Sequence, residues 1–102
     1  SGEDRVGILA MLLRQYRILY HMRCMLDERT PQQAQASLLG IPPFSVGRTQ
    51  QQARRFDRQR LRAAYDFLMD YEYQLKQGRV PQDSCAETAL LRLEGMLRRN
   101  QT

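Results

Sequence analysis

The sequence predicts an all-α domain, a compact bundle of five helices with a helix-turn-helix-like corner between the second and third. Three observations carry this prediction. Good helix formers (Leu, Arg, Gln, Ala, Met, Glu) dominate the 102 residues, while β-branched Val, Ile and Thr are scarce. Apolar side chains recur at three- and four-residue spacing rather than alternating. Start and stop signals divide the chain into five stretches joined by short connections, which favours neighbouring helices packed into one body.

The first helix is expected from about Glu3 to Glu28, with Glu3 and Asp4 at the positive end of its dipole. It is apolar on two adjacent faces. Leu9, Leu12, Tyr16, Leu19 and Leu26 line one, Ile8, Met11, Ile18, Met22 and Met25 line the next, and Arg14, Arg17, His21 and Glu28 form a polar ridge. Such a helix is either central in its own bundle or shared with a neighbouring chain. The methionines favour sharing, because Met adapts to packed surfaces, so Met11, Ile18, Met22 and Met25 are candidate partner contacts.

The second helix opens at Thr30-Pro31, an N-cap followed by proline at the first helical position, and stops before Gly40. The third follows Pro42-Pro43 and runs to about Arg55, and Gly47 within it favours a late start. Asp57 caps the fourth, which continues to Gln77 and ends at Gly78, with Leu61, Ala64, Tyr65, Leu68, Tyr71 and Leu75 as its core stripe. Beyond Val80-Pro81, Asp83 or Ser84 starts the fifth, which fades near Arg99 and presents Ala86, Ala89, Leu90, Leu93, Met96 and Leu97 to the core.

A chain of this length makes one domain, residues 1–102, without volume for a large cofactor, and none is expected. The longest apolar run begins at Gly7 and breaks at Arg14, too short to cross a membrane. Ser1-Gly2-Glu3-Asp4 is no signal-peptide leader; Ser1-Gly2 reads as a cloning remnant and the chain as a fragment of a longer protein. Cys24 and Cys85 are expected as buried free thiols in a reducing, cytoplasmic setting, and the single His21 nearly excludes zinc. There is no glycine-rich phosphate loop, no histidine beside a nucleophile and no Gly-x-Ser-x-Gly elbow. Asp66 and Asp70, with Arg62 one turn back, read as a solvated charged face. No catalytic or metal-binding residue is assigned.

The charge is concentrated in one segment. Between residues 48 and 62, Arg48, Arg54, Arg55, Arg58, Arg60 and Arg62 stand against Asp57 alone, six minus one, which equals the +5 of the whole chain. Fifteen of the sixteen basic residues are arginine, whose planar fork suits carboxylate or phosphate partners and interface contacts. Arg48, Arg55, Arg58 and Arg62 are therefore further candidates for contacting a partner. The stretch Ala36-Ser37-Leu38-Leu39-Gly40-Ile41-Pro42-Pro43-Phe44-Ser45-Val46 matches a helix-turn-helix: a small alanine where two helices cross, a glycine turn, and Ile41 and Val46 filling the angle. In a DNA reader the following helix would present Arg48, Thr49, Gln52 and Arg55. Against that, Pro42-Pro43 and Phe44 stand where a polar cap and the first groove contacts belong, and the same packing serves as a bare helical corner.

Five pieces in order, over about residues 7–97, resemble the C-terminal collar domain of the delta subunit of the bacterial DNA polymerase III clamp loader. Leu12-Leu13-Arg14-Gln15-Tyr16-Arg17-Ile18-Leu19 is similar to the family's opening helix, and Leu39-Gly40-Ile41-Pro42-Pro43-Phe44-Ser45-Val46 to its Leu-Gly-Ile-x-Pro-Phe-x-Val corner. Gln52-Ala53-Arg54-Arg55-Phe56, then Glu72-x-x-Leu75-Lys76-x-Gly78-Arg79 and Ala89-Leu90-Leu91-Arg92-Leu93 follow. The departures are Glu72, where the family usually has Asp, and Gly47, where a helix former is usual.

The resemblance implies a non-catalytic assembly part of a DNA polymerase holoenzyme. Such domains hold delta in a ring with delta-prime and gamma or tau, while the sliding clamp is met only through an N-terminal region absent from this chain. It further implies that the corner is packing, with Pro43-Phe44 driven into the bundle, and that any DNA contact is independent of base sequence. The expected structural core comprises Leu12, Tyr16, Leu19, Gly40, Ile41, Phe44, Val46, Ala53, Leu68, Leu75 and Leu93. Two other readings stand beside it, a helix-turn-helix nucleic-acid-binding module and a small homodimer joined through the Met-rich face of the first helix.

Overall fold

The first helix crosses the whole molecule, and its chemistry dictates the rest. In the computed structural model, which describes residues 2–98, all regular structure is helical: α1 (Gly2–Asp27), α2 (Gln32–Leu39), a 3-10 turn (Pro43–Ser45), α3 (Val46–Arg54), α4 (Arg58–Lys76) and α5 (Cys85–Arg98). The expected end of the last helix at Arg99 lies outside the described residues, as does Ser1. The body measures 42 × 33 × 19 Å, and a helix of 26 residues is roughly 39 Å long, so α1 is nearly as long as the body. A thickness of 19 Å is that of two helices side by side.

α1 packs against α2, α3, α4 and α5, but not with one face. Its N-terminal half meets α4 and α5 in one apolar cluster, built on Leu9, Ala64, Leu68, Tyr71, Leu75, Cys85, Ala89 and Leu93, with Leu12 and Leu13 packed against it. Its C-terminal half contributes Ile18, Leu19 and Met22 to a second cluster with Leu39, Val46, Ala53 and Leu61. Leu9 and Met22 are both fully buried. They stand thirteen residues apart, which at about 100° per residue places them roughly 140° apart around the axis. Tyr16 touches both clusters, and burial pushes its phenol above the ordinary range.

The second apolar face of α1 is therefore largely used within the chain. Ile18 and Met22, expected at a partner interface, are buried core residues, and Met25 is half-buried against the second cluster. The Met-rich face expected to join a homodimer is consequently not presented to solvent. What remains outside is its N-terminal end, Ile8 and Met11.

Local chemistry explains the helix ends. Three of them close in the same way, with a left-handed residue at Arg29 (φ 58°), Gly40 (φ 68°) and Gly78 (φ 74°). After each, the next amide reaches back to the helix: Thr30 N–H to the Met25 carbonyl at 2.9 Å, Ile41 to Ala36 at 3.1 Å and Arg79 to Gln74 at 3.0 Å. Glycine adopts that conformation freely, whereas Arg29 adopts it at some cost in strain. Asp57 caps α4 as its sequence position suggests, its carboxylate accepting from the Arg60 amide at 2.8 Å. Thr30 does not cap α2. Pro31 keeps an extended ψ of 138° and stands at the cap position, while the buried Gln35 side chain donates back to the Thr30 carbonyl.

The corner departs from expectation at its aromatic residue. Phe44, expected in the core, is 89% exposed. The 3-10 turn runs directly into α3, whose inward stripe is Val46, Thr49, Gln50 and Ala53. Phe44 precedes Val46 by two residues, about 200° away around a helix, and so faces outward. Gly40 is exposed as well, and its contribution is conformational rather than packing.

Leu19, Val46, Ala53, Leu68, Leu75 and Leu93 are buried, and Leu12, Tyr16 and Ile41 are half-buried against the clusters. Cys85 is buried, but Cys24 is only partly covered, and Leu90, expected in the core, is 48% exposed. Among the described residues no group of three or more His, Cys, Asp or Glu is placed to hold a metal, and no helix is long and apolar enough to cross a membrane.

His21 lies half-buried beside the rings of Tyr20 and Tyr65, with centroids 5.6 and 6.2 Å away, and those two rings stack on each other at 6.2 Å. Burial, then the charge of Arg17, holds its imidazole below its ordinary value.

This packing makes two predictions. Met22→Ala should cost about 2–5 kcal/mol by chemical denaturation, and Phe44→Ala less than about 0.5 kcal/mol; the reverse order would refute the placement of these two side chains. Because the folded state lowers the affinity of His21 for a proton, its contribution is complete above the unfolded-state value of about 6.5 and is lost as pH falls below it. Denaturation of wild type and His21→Gln at pH 7.5 and 5.5 should therefore show wild type losing ground to the variant on acidification, and a gain would contradict the assignment.

Candidate assembly surface

A slab two helices thick leaves every helix partly in water, and the apolar residues left outside gather in distinct places. On one side, α1 and α5 form a shallow face from Ile8, Met11 and Leu12 with Ala86 and Leu90; Met11 is 71% exposed. Its rim is tied by Arg5, which donates to the Glu87 carboxylate at 2.9 Å. That carboxyl is held below its usual range, first by its own backbone amide and then by Arg5. Gln15, at the edge of this face, donates to Gln52 of α3 at 3.3 Å, where the inward path of α3 ends.

On the other side, α1 and α4 enclose a groove with Leu13 and Arg17 on one wall and Tyr65, Met69 and Tyr73 on the other. Glu72 and Lys76, paired at 3.4 Å, line its edge. Met11 and Leu13 are two residues apart, about 200° around the helix, so the two faces lie on opposite sides of α1. They also differ in character: the first is aliphatic, the second carries two tyrosines. Leu38 and Leu91 are exposed elsewhere on the surface.

The arginine-rich segment divides into two groups. Arg58 reaches Glu28 at 3.6 Å and Asp27 at 3.9 Å, pinning the start of α4 to the end of α1. Arg60 donates to the Met96 carbonyl at 2.8 Å, joining α4 to α5. Arg62 pairs with Asp66 at 3.0 Å, donates to the Tyr20 hydroxyl at 3.2 Å and lies over that ring at 5.4 Å. Arg60 is largely covered, whereas Arg58 and Arg62 make these contacts at the exposed surface. Arg48, Arg54 and Arg55 are exposed on and just after α3 and make no ion pair among the described residues.

The residues expected to read a DNA groove are not presented together. Thr49 is buried and donates to the Ser45 carbonyl at 2.9 Å, and Gln52 is engaged by Gln15. Buried Gln35 accepts from Gln50 at 2.7 Å. Two of the four side chains that a major-groove reader would use, Thr49 and Gln52, are thus engaged within the domain, while Arg48 and Arg55 stay exposed. No motif in the sequence marks the α1/α4 groove, although Tyr65, Met69 and Tyr73, at i, i+4 and i+8, carry a helical stripe flanking the core.

Comparison with known proteins accords with this architecture. The family model described as DNA polymerase III delta subunit, C-terminal domain, matches residues 1–93. Over 101 residues the chain is 29% identical to the DNA polymerase III subunit delta of Bacillus subtilis (strain 168), covering 99% of this chain. The chain spans 28% of the length of that relative. No solved structure matches it. The chain thus belongs to the family formed by the C-terminal domain of the delta subunit of DNA polymerase III.

Proposed function

We propose that this chain is a single, non-catalytic assembly domain that holds a clamp-loader delta subunit in its ring during DNA replication in the cytoplasm. Its neighbours on this reading are delta-prime and gamma or tau. The observation that supports it best is the pair of unlike apolar faces on opposite sides of α1. A protein within a ring meets a different surface on each flank, so it needs two distinct patches, whereas a two-fold dimer uses one patch twice. Each face would bury about 800 Å² against its neighbour, the size of a standard interface.

Met11 lies in one face, and Met69 and Tyr73 line the other. Arg58 and Arg62 remain exposed but are engaged in ion pairs within the domain. Contact with the sliding clamp is assigned to the part of the delta protein that precedes this domain.

The test is co-purification of the chain with purified clamp-loader proteins, using wild type, Met11→Glu and Met69→Glu. Both positions are exposed, so the variants should keep the helical circular dichroism of wild type. Wild type should retain partners, and each variant should lose a different neighbour. Failure of the wild-type chain to retain any of these proteins would overturn the reading.

A further inference from the structure

We propose that a second copy of this chain docks head to tail on the first, the α1/α5 face of one molecule seating in the α1/α4 groove of the next. This contact rests on the reading of the two surfaces as the flanks of a ring subunit, and it adds that the flanks fit each other.

The two surfaces have complementary shapes. The α1/α5 face is shallow and projects Met11, 71% exposed, with Ile8 and Leu90 beside it. The α1/α4 groove is concave and has an aromatic wall, where Tyr65, Met69 and Tyr73 stand one turn apart along α4 opposite Leu13. Methionine suits such a cleft, because its unbranched thioether adapts to the space and its sulfur is attracted to the edges of aromatic rings. Two projecting faces do not fill one another, and neither do two grooves. A face and a groove do.

The charges at the rims are complementary as well. The face is acidic near the start of α1, where Asp4 and Glu87 outnumber Arg5, and basic at Arg14, about 15 Å further along the helix. In the groove, α4 runs antiparallel to α1: Tyr20 stacks on Tyr65 at 6.2 Å, while Leu9 shares a cluster with Leu75. Arg17 therefore lies toward the Tyr65 end, and Glu72 toward the other end beside Leu13. Neither Arg14 nor Arg17 makes an ion pair among the described residues. Laying the face of one copy along the groove of the next sets Asp4 and Glu87 against Arg17, and Arg14 against Glu72. The apolar strip is then closed by opposite charges at each end. Because this contact uses two different patches once each, every molecule keeps one face or one groove open, and assembly continues beyond a pair.

Sedimentation equilibrium of the chain alone tests the proposal. Weight-average mass should pass twice that of one molecule as concentration rises from about 10 to 500 μM, without levelling at a dimer. Met11→Glu and Met69→Glu should each weaken association about thirtyfold or more, the loss expected of a central anchor. An equimolar mixture of the two variants should recover association, but only as far as a dimer. The intact face of the Met69→Glu variant meets the intact groove of the Met11→Glu variant, and no second such pair remains. A variant that had lost its fold would not recover on mixing, so complementation separates lost contact from lost folding. The proposal is overturned if wild type stays monomeric throughout or levels at a dimer. It also fails if either variant associates like wild type, or if the mixture remains monomeric. A monomeric chain that still retains clamp-loader proteins overturns this contact and leaves the ring reading standing; a self-associating chain that retains none of them does the reverse.

Discussion

A single helix serves two cores, and the rest of the architecture answers to that demand. α1 is the only element common to both apolar clusters apart from α4, and it meets them on faces roughly 140° apart. No single amphipathic stripe could do this, which is why its sequence is apolar on two sides. Leu9 anchors one end between α4 and α5, and Met22 anchors the other beneath the α2–α3 corner. Tyr16 bridges them. The remaining helices are arranged by the need to cover α1 at these two heights, and the slab is thin because two layers suffice.

Covering α1 in two places on two faces leaves parts of both faces uncovered. The stripe through Met11, Ile18 and Met22 is buried where α3 lies over it and bare where α3 stops, at the Gln15–Gln52 hydrogen bond. On the opposite flank, α4 departs far enough from α1 to leave a groove beside Leu13. The apolar surface suited to assembly is thus a geometric by-product of the internal packing, rather than a separate module added to it. Polar residues then fix the geometry: Gln35, Gln50 and Thr49 lock the corner, while Arg58, Arg60 and Arg62 tie α4 to α1 and α5.

The same economy separates two uses of arginine within fifteen residues of sequence. Those on α4 find carboxylates, a tyrosine hydroxyl or a backbone carbonyl within the domain. Among the described residues those around α3 find none, because its inward face is already filled by Val46, Thr49, Gln50 and Ala53. The charge that appears as one block in the chain therefore becomes, in space, a set of intramolecular contacts along α4 and a separate exposed cationic stripe around α3.

Residue chemistry along the chain is enough to specify the elements of this protein and its kinship. Helix existence, the Asp57 cap, the Gly40 and Gly78 stops and the core stripes of α4 and α5 are local matters, written in spacing and in the conformational freedom of particular residues. The corner motif is legible for the same reason. Which of two apolar faces on α1 is covered at each height is settled only by the packing of the other helices. That packing sends Ile18 and Met22 inside and leaves Met11 out. It also turns Phe44 to solvent, since a rotation of about 200° from Val46 is set by where the 3-10 turn joins α3. Periodicity states that a residue lies on a face; only the position of the neighbouring helix states whether that face is covered.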